Sequence, residues 1–89
     1  MEFEWDEDKR QLNIVKHGID FNRASALFDG RDVVEFKSAY ANEPRWQTTG
    51  LVDERFMTVI WTRRGDAIRI ISARRSRDGE KRKYYENYP

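Results

Sequence analysis

The sequence holds no cysteine, a single histidine and two prolines. Without cysteine there is no disulfide scaffold, no thiolate metal site and no thiol nucleophile. One histidine excludes a multi-histidine zinc site. No apolar run approaches the ~20 residues of a membrane-spanning helix, and no signal-peptide pattern opens the chain. Walker-type glycine loops, Gly-x-Ser-x-Gly elbows and dinucleotide fingerprints are likewise absent. The expectation is a cytoplasmic protein that needs no cofactor and touches no membrane.

Apolar residues make up 38% of the chain and charged residues 37%, a balance that leans towards disorder. Three Trp, four Tyr and five Phe argue instead for a packed core. At 89 residues, a single domain over 1–89 is expected. The net charge of +1 conceals an asymmetry: residues 1–62 carry a net −4 and residues 63–89 a net +5. A basic end on an acidic body points towards nucleic acid or an acidic partner.

Met1–Trp5 alternates apolar and acidic residues, the pattern of a short half-buried strand. Asp6 then fits an N-cap, with Glu7 and Asp8 in a first helical turn and Gly18 as the left-handed stop. Leu12, Val15 and Ile19 space as one buried stripe of that helix. A second short helix is expected from Asp20 or Asn22 to Gly30, burying Phe21, Ala24, Leu27 and Phe28. Strands follow at Val33–Phe36, Arg45–Val52, Arg55–Thr62 and Ala67–Ala73, with turns at Asp53-Glu54 and Arg64-Gly65-Asp66. A last helix is expected to start at Ser76 or Asp78 and to reach Asn87. The order β-α-α-β-β-β-β-α implies an α+β fold with a mainly antiparallel sheet. The two early helices cover one face and leave the other partly open.

Several residues could carry chemistry. His17 suits a general base near neutral pH, or else simply complements the helix C-terminus. The run Asp6-Glu7-Asp8 resembles half a magnesium site, but the helix N-terminus accounts for it, and no metal site is expected. Strict alternation along the last strand puts Ile68, Ile70, Ser72 and Arg74 on one face and Arg69, Ile71 and Ala73 on the other. Arg69 inside this apolar strand needs an open face or an acidic partner. Arg74, Arg75 and Arg77 lie where a helix N-terminus begins, which suits phosphate. Arg45 beside Trp46 sets a cation next to a stacking platform for a base.

The opening Phe3-Glu4-Trp5-Asp6, then Lys9, Asn13, Lys16-His17-Gly18-Ile19 and Phe21, resembles the BrnT toxin family. So does the ending Arg69-Ile70-Ile71-Ser72-Ala73-Arg74 with Glu80-Lys81-Arg82 and Tyr84. Together the two blocks span nearly the whole chain; the centre, Asp32–Asn42, matches only in being irregular. The resemblance implies a RelE-like fold and a ribonuclease toxin of a type II toxin–antitoxin module. It implies an RNA substrate and a BrnA-like antitoxin with a DNA-binding domain, operator DNA being reached only through the complex. The Lys81-Arg82 pair departs from the family's commoner Glu-Arg step.

The resulting expectation is metal-independent RNA cleavage by 2′-hydroxyl attack on the adjacent phosphate. Arg69 and Arg74 would neutralise the phosphorane, and His17 or Glu80 would move protons. Arg45, Arg75 and Arg82 would hold RNA, with Trp46 stacking on a base. Two alternatives share the same basic end. One is a non-catalytic nucleic-acid binder that works only in a repressor complex; the other is a module that docks an acidic antitoxin segment.

Overall fold

A computed structural model describes residues 1–40 and 42–89, the first of these segments without the side chains of 39 and 40. Strand β1 (Glu2–Glu4) leads into helix α1 (Glu7–His17) and the short helix α2 (Phe21–Ala24), which tightens into a 3-10 turn (Ser25–Phe28). Strands β2 (Val33–Tyr40), β3 (Glu43–Val52), β4 (Arg55–Arg64) and β5 (Ala67–Arg75) follow, and helix α3 (Asp78–Asn87) ends the chain. The sheet order is β1-β5-β4-β3-β2, with β1 parallel to β5 and every other pairing antiparallel. The α+β arrangement and the element order agree with the sequence expectation.

Local chemistry explains the helix ends. The Asp6 carboxylate accepts from the N–H groups of Asp8 and Lys9, and Gly18 closes α1 at φ 69°. Asp20, the first of the two caps considered, starts α2 by accepting from Asn22 N–H. Helix α3 starts at Asp78, the second of the two starts considered; Arg77 caps it, and the Arg77 N–H donates to Glu80 at 2.8 Å. The turn between β3 and β4 uses Asp53 and Glu54, both at positive φ without glycine. The segment expected to be irregular, Asp32–Asn42, instead carries β2, which runs beyond the expected Val33–Phe36; Ala41 lies outside the described residues.

The core lies on one face of the sheet. Phe21, Ala24 and Leu27 pack there against Val59, Trp61, Ile68, Ile70 and Ala73. Phe28 meets Trp61 edge-on at 5.2 Å, and Trp46 stacks on Trp61 at 4.8 Å. Gly50 lets Leu27 sit close against the sheet, because a Cβ there would stand 2.8 Å from Leu27 Cδ2.

Helix α1 does not pack as its apolar stripe suggested. Leu12 is 66% and Val15 85% exposed, while the inward residue is Asn13 at 6%. The cause lies in the sheet. β1 pairs with β5 only as far as Arg69, so the next stretch of β5 has no strand on its outer side. Asn13 takes that place: its Nδ2 donates to the carbonyls of Ala73 and Ile19, and its Oδ1 accepts from Ala73 N–H. A side-chain amide satisfies backbone groups that an apolar side chain would leave unpaired.

Candidate active site

The opposite face of the sheet is covered only in part, by α3 at one end. Cross-strand register sorts its side chains into three rungs. The first holds Ser38, Arg45, Thr62, Arg69 and Glu4, with Arg45 placed beside Thr62 by continuing the β3–β4 register one step. The second holds Phe36, Gln47, Ile60 and Ser72. The third holds Val34, Thr49, Thr58 and Arg74. Arg45, Arg69 and Arg74 therefore share one face.

Strict alternation had put Arg69 and Arg74 on opposite faces, and a β-bulge corrects this. Trp61 pairs with Ile70 and Ile60 with Ser72, which leaves Ile71 as an extra residue in β5. The insertion reverses the alternation beyond it, so Ala73 turns into the core while Ser72 and Arg74 join Arg69.

Arg74 and Glu80 form the best-defined contact on this face. Their side chains are only 15% and 17% exposed, and two parallel bonds of 2.8 Å join Nη1 to Oε1 and Nη2 to Oε2. Arg77 N–H and the Thr58 hydroxyl also donate to Glu80 Oε1. Burial opposes ionisation of Glu80, yet donation from Arg74, Arg77 and Thr58 outweighs it and holds the carboxyl near a pKa of about 2. The bond to Glu80 raises the Arg74 guanidinium above its ordinary value, against the effect of burial.

Beneath this pair lies a chain of buried hydroxyls. Thr58 Oγ1 sits 2.8 Å from both Thr49 Oγ1 and Ser76 Oγ and 3.0 Å from Glu80 Oε1. The ionised carboxylate only accepts, so the single Thr58 proton points to Glu80. Thr49 and Ser76 must then both donate to Thr58. The network thus has one proton arrangement, and it favours charge on Glu80.

The other candidate residues are dispersed. Arg69 donates to Glu4 Oε2 at 3.2 Å in a half-exposed pair. His17 lies outside the rungs, in a groove between α1 and the β5 edge that Ser72 also lines. Trp46 occupies the core face, against Trp61 and under Lys37, and so stands apart from Arg45. Arg75 pairs in register with Met57, on the opposite face from Arg74, and Arg82 is exposed on α3. Thr49, Thr58 and Ser76 were not singled out from sequence. Thr49 and Thr58 lie on different strands and Ser76 lies past the end of β5, so no local pattern links them. Among the described residues, no three His, Asp or Glu side chains gather where they could hold one metal ion.

The open face of this small α+β protein thus carries three arginines, the side chain whose planar fork matches phosphate geometry. The chain belongs to the BrnT family, described as the ribonuclease toxin of a type II toxin–antitoxin system, whose model it matches over residues 5–80. No curated protein sequence matches it. Family membership brings an RNA substrate and an antitoxin partner. No helix among the described residues is long and apolar enough to cross a membrane.

Proposed function

We propose that this chain is an endoribonuclease that cleaves RNA without a metal ion and arrests growth from within the cytoplasm. The observation that carries the reading is the sharing of one open sheet face by Arg45, Arg69 and Arg74, with Glu80 holding Arg74 in place. The 2′-hydroxyl attacks the neighbouring phosphorus and the 5′-oxygen leaves, giving a cyclic phosphate and a free 5′-hydroxyl. Negative charge grows on the phosphorane oxygens, where Arg69 and Arg74 stabilise it. The end of the Arg74 guanidinium is held by Glu80, so its Nε–Nη2 edge is the one offered to phosphate. Arg45 holds the RNA strand, and Arg75 and Arg82 add charge farther out.

Glu80, with a pKa near 2, is too weak a base to take the 2′-hydroxyl proton at neutral pH. It acts as a positioning residue for Arg74. His17, in the groove beside Ser72, is the candidate proton carrier. The antitoxin is of BrnA type, with a DNA-binding domain that carries the complex to operator DNA.

The test uses purified protein and a defined RNA, with and without excess EDTA. The expected result is equal cleavage in both arms, with cyclic-phosphate and 5′-hydroxyl ends. Loss of activity in EDTA that magnesium restores overturns metal independence. Bound but intact RNA in every arm makes the chain a non-catalytic binder.

A further inference from the structure

Helix α1 carries an apolar surface that the fold leaves uncovered. Leu12 and Val15 are exposed on adjacent turns, and both border a groove of about 400 Å³ between α1 and the outer edge of β5. Ile71, the bulged residue, contributes to the opposite wall. Lys9 and Lys16 flank the apolar strip, and among the described residues no carboxylate lines the groove. The charge is thus of one sign, although this half of the chain is acidic.

We propose that this groove is the docking site for an acidic, amphipathic segment of the antitoxin. Apolar side chains of the segment would pack on Leu12, Val15 and Ile71 while its carboxylates reach Lys9 and Lys16. Water-exposed Leu and Val one helical turn apart form the anchor pattern of partner recognition, and the lysines supply sign and orientation. An RNA strand fits less well, since its phosphates gain nothing from the apolar strip. The groove also reaches Ser72, which lies on the same sheet face as Arg69 and Arg74. A segment seated here runs onto the rim of the arginine face, and its continuation covers that face. Neutralisation is then occlusion of the site. This inference rests on membership in a toxin–antitoxin family and not on the cleavage chemistry proposed above.

The experiment uses the full chain and the protein encoded by its neighbouring gene. Leu12→Glu with Val15→Glu is one variant and Lys9→Glu with Lys16→Glu the other; thermal melting checks that each folds. Because all four side chains point to solvent or groove, both variants are expected to melt as the parent does. Titration calorimetry with the neighbouring protein should show at least about tenfold weaker binding for each. The lysine variant should also lose much of the salt dependence. Co-expression of the neighbouring protein should protect cells less from the Leu12/Val15 variant than from the parent, with RNA cleavage by each protein alone as the reference, because His17 lines the same groove.

Parental affinity in both variants overturns the proposal. So does a parent chain that self-associates and becomes monomeric in the Leu12/Val15 variant while its affinity for the neighbouring protein is unchanged; the groove is then an interface between copies. Loss of RNA cleavage in the lysine variant, with binding unchanged, makes the groove an RNA path. A parent chain that fails to cleave RNA yet still shows the binding pattern removes the catalytic reading and leaves the docking site standing.

Discussion

Arg69 and Arg74 stand on the same face of the sheet although an odd number of positions separates them along one strand. Ile71, inserted between the pairs Trp61–Ile70 and Ile60–Ser72, is the reason. The bulge turns one arginine from the core side to the open side. The same shift brings Ala73 into the core.

If these two arginines meet the scissile phosphate, geometry matters as well as charge. Arg69→Lys and Arg74→Lys each keep the charge and lose the planar fork. Each should bind RNA much as the parent does and cleave it about 10²–10³ more slowly, in line with the loss of one transition-state donor. Initial rates and binding titrations on one labelled RNA check this. Parental rates in both variants would place the reaction elsewhere.

Glu80 ties the site to pH. Its folded pKa of about 2 lies below the ordinary value of 4.5, so its charged contacts stabilise the fold fully above pH 4.5. That contribution disappears as pH falls towards 2. Denaturant unfolding of the parent should therefore weaken across this window, and Glu80→Gln should flatten part of the slope. Asp29, whose hydrogen bonds from Arg31 outweigh desolvation and hold it at about 2, keeps its share of the slope in both proteins. An identical slope in parent and variant would contradict the Arg74–Glu80 pairing.

Thr58→Val removes a hydroxyl at nearly constant volume. Thr49 and Ser76 lose their buried acceptor, and Glu80 loses one donor. A buried polar group left unpaired costs about 1–3 kcal/mol, so urea unfolding should show a loss of that size. Cleavage should also slow, because Arg74 is held less firmly. Unchanged stability would mean that the hydroxyl chain relaxes at no cost.

Asn13→Leu tests the lateral seal of β5. The variant leaves both backbone groups of Ala73 and the Ile19 carbonyl without their partner. We expect a loss of about 3 kcal/mol or more, from three unsatisfied groups. Hydrogen exchange at the Ala73 amide should accelerate well beyond that of the β3–β4 amides. Uniform protection along β5 would show that another group takes over.

Phe28→Ala and Trp5→Ala should damage folding ahead of any effect on activity. Phe28 lies between Phe3 and Trp61, and Trp5 meets Phe21 edge-on. Both are half-buried, which puts the expected cost near 3 kcal/mol, the low end for an aromatic truncation. Parental melting with lost cleavage would move either residue into the site.

The sequence by itself determined the elements whose causes are local. The Asp6 cap, the Gly18 stop, the buried trio Phe21, Ala24 and Leu27, and the apolar strands all follow from neighbours within a few residues. The family assignment was equally legible, because its two blocks are local patterns at the ends of the chain. Only the tertiary structure decided which side chains meet. Helical periodicity marked Leu12 and Val15 as buried, but β1 stops at Glu4 and leaves β5 with unpaired backbone, so hydrogen bonding selects Asn13 as the inward residue. Adjacency in sequence joined Arg45 to Trp46, yet neighbours in a strand point to opposite faces, and Trp61 claims the indole. The bulge at Ile71 depends on register against β4, and the proton order of Thr49, Thr58 and Ser76 depends on a carboxylate delivered by α3. These are long-range constraints: alternation, spacing and propensity describe what one segment prefers, whereas face, register and hydrogen-bond partner are set by the segment opposite.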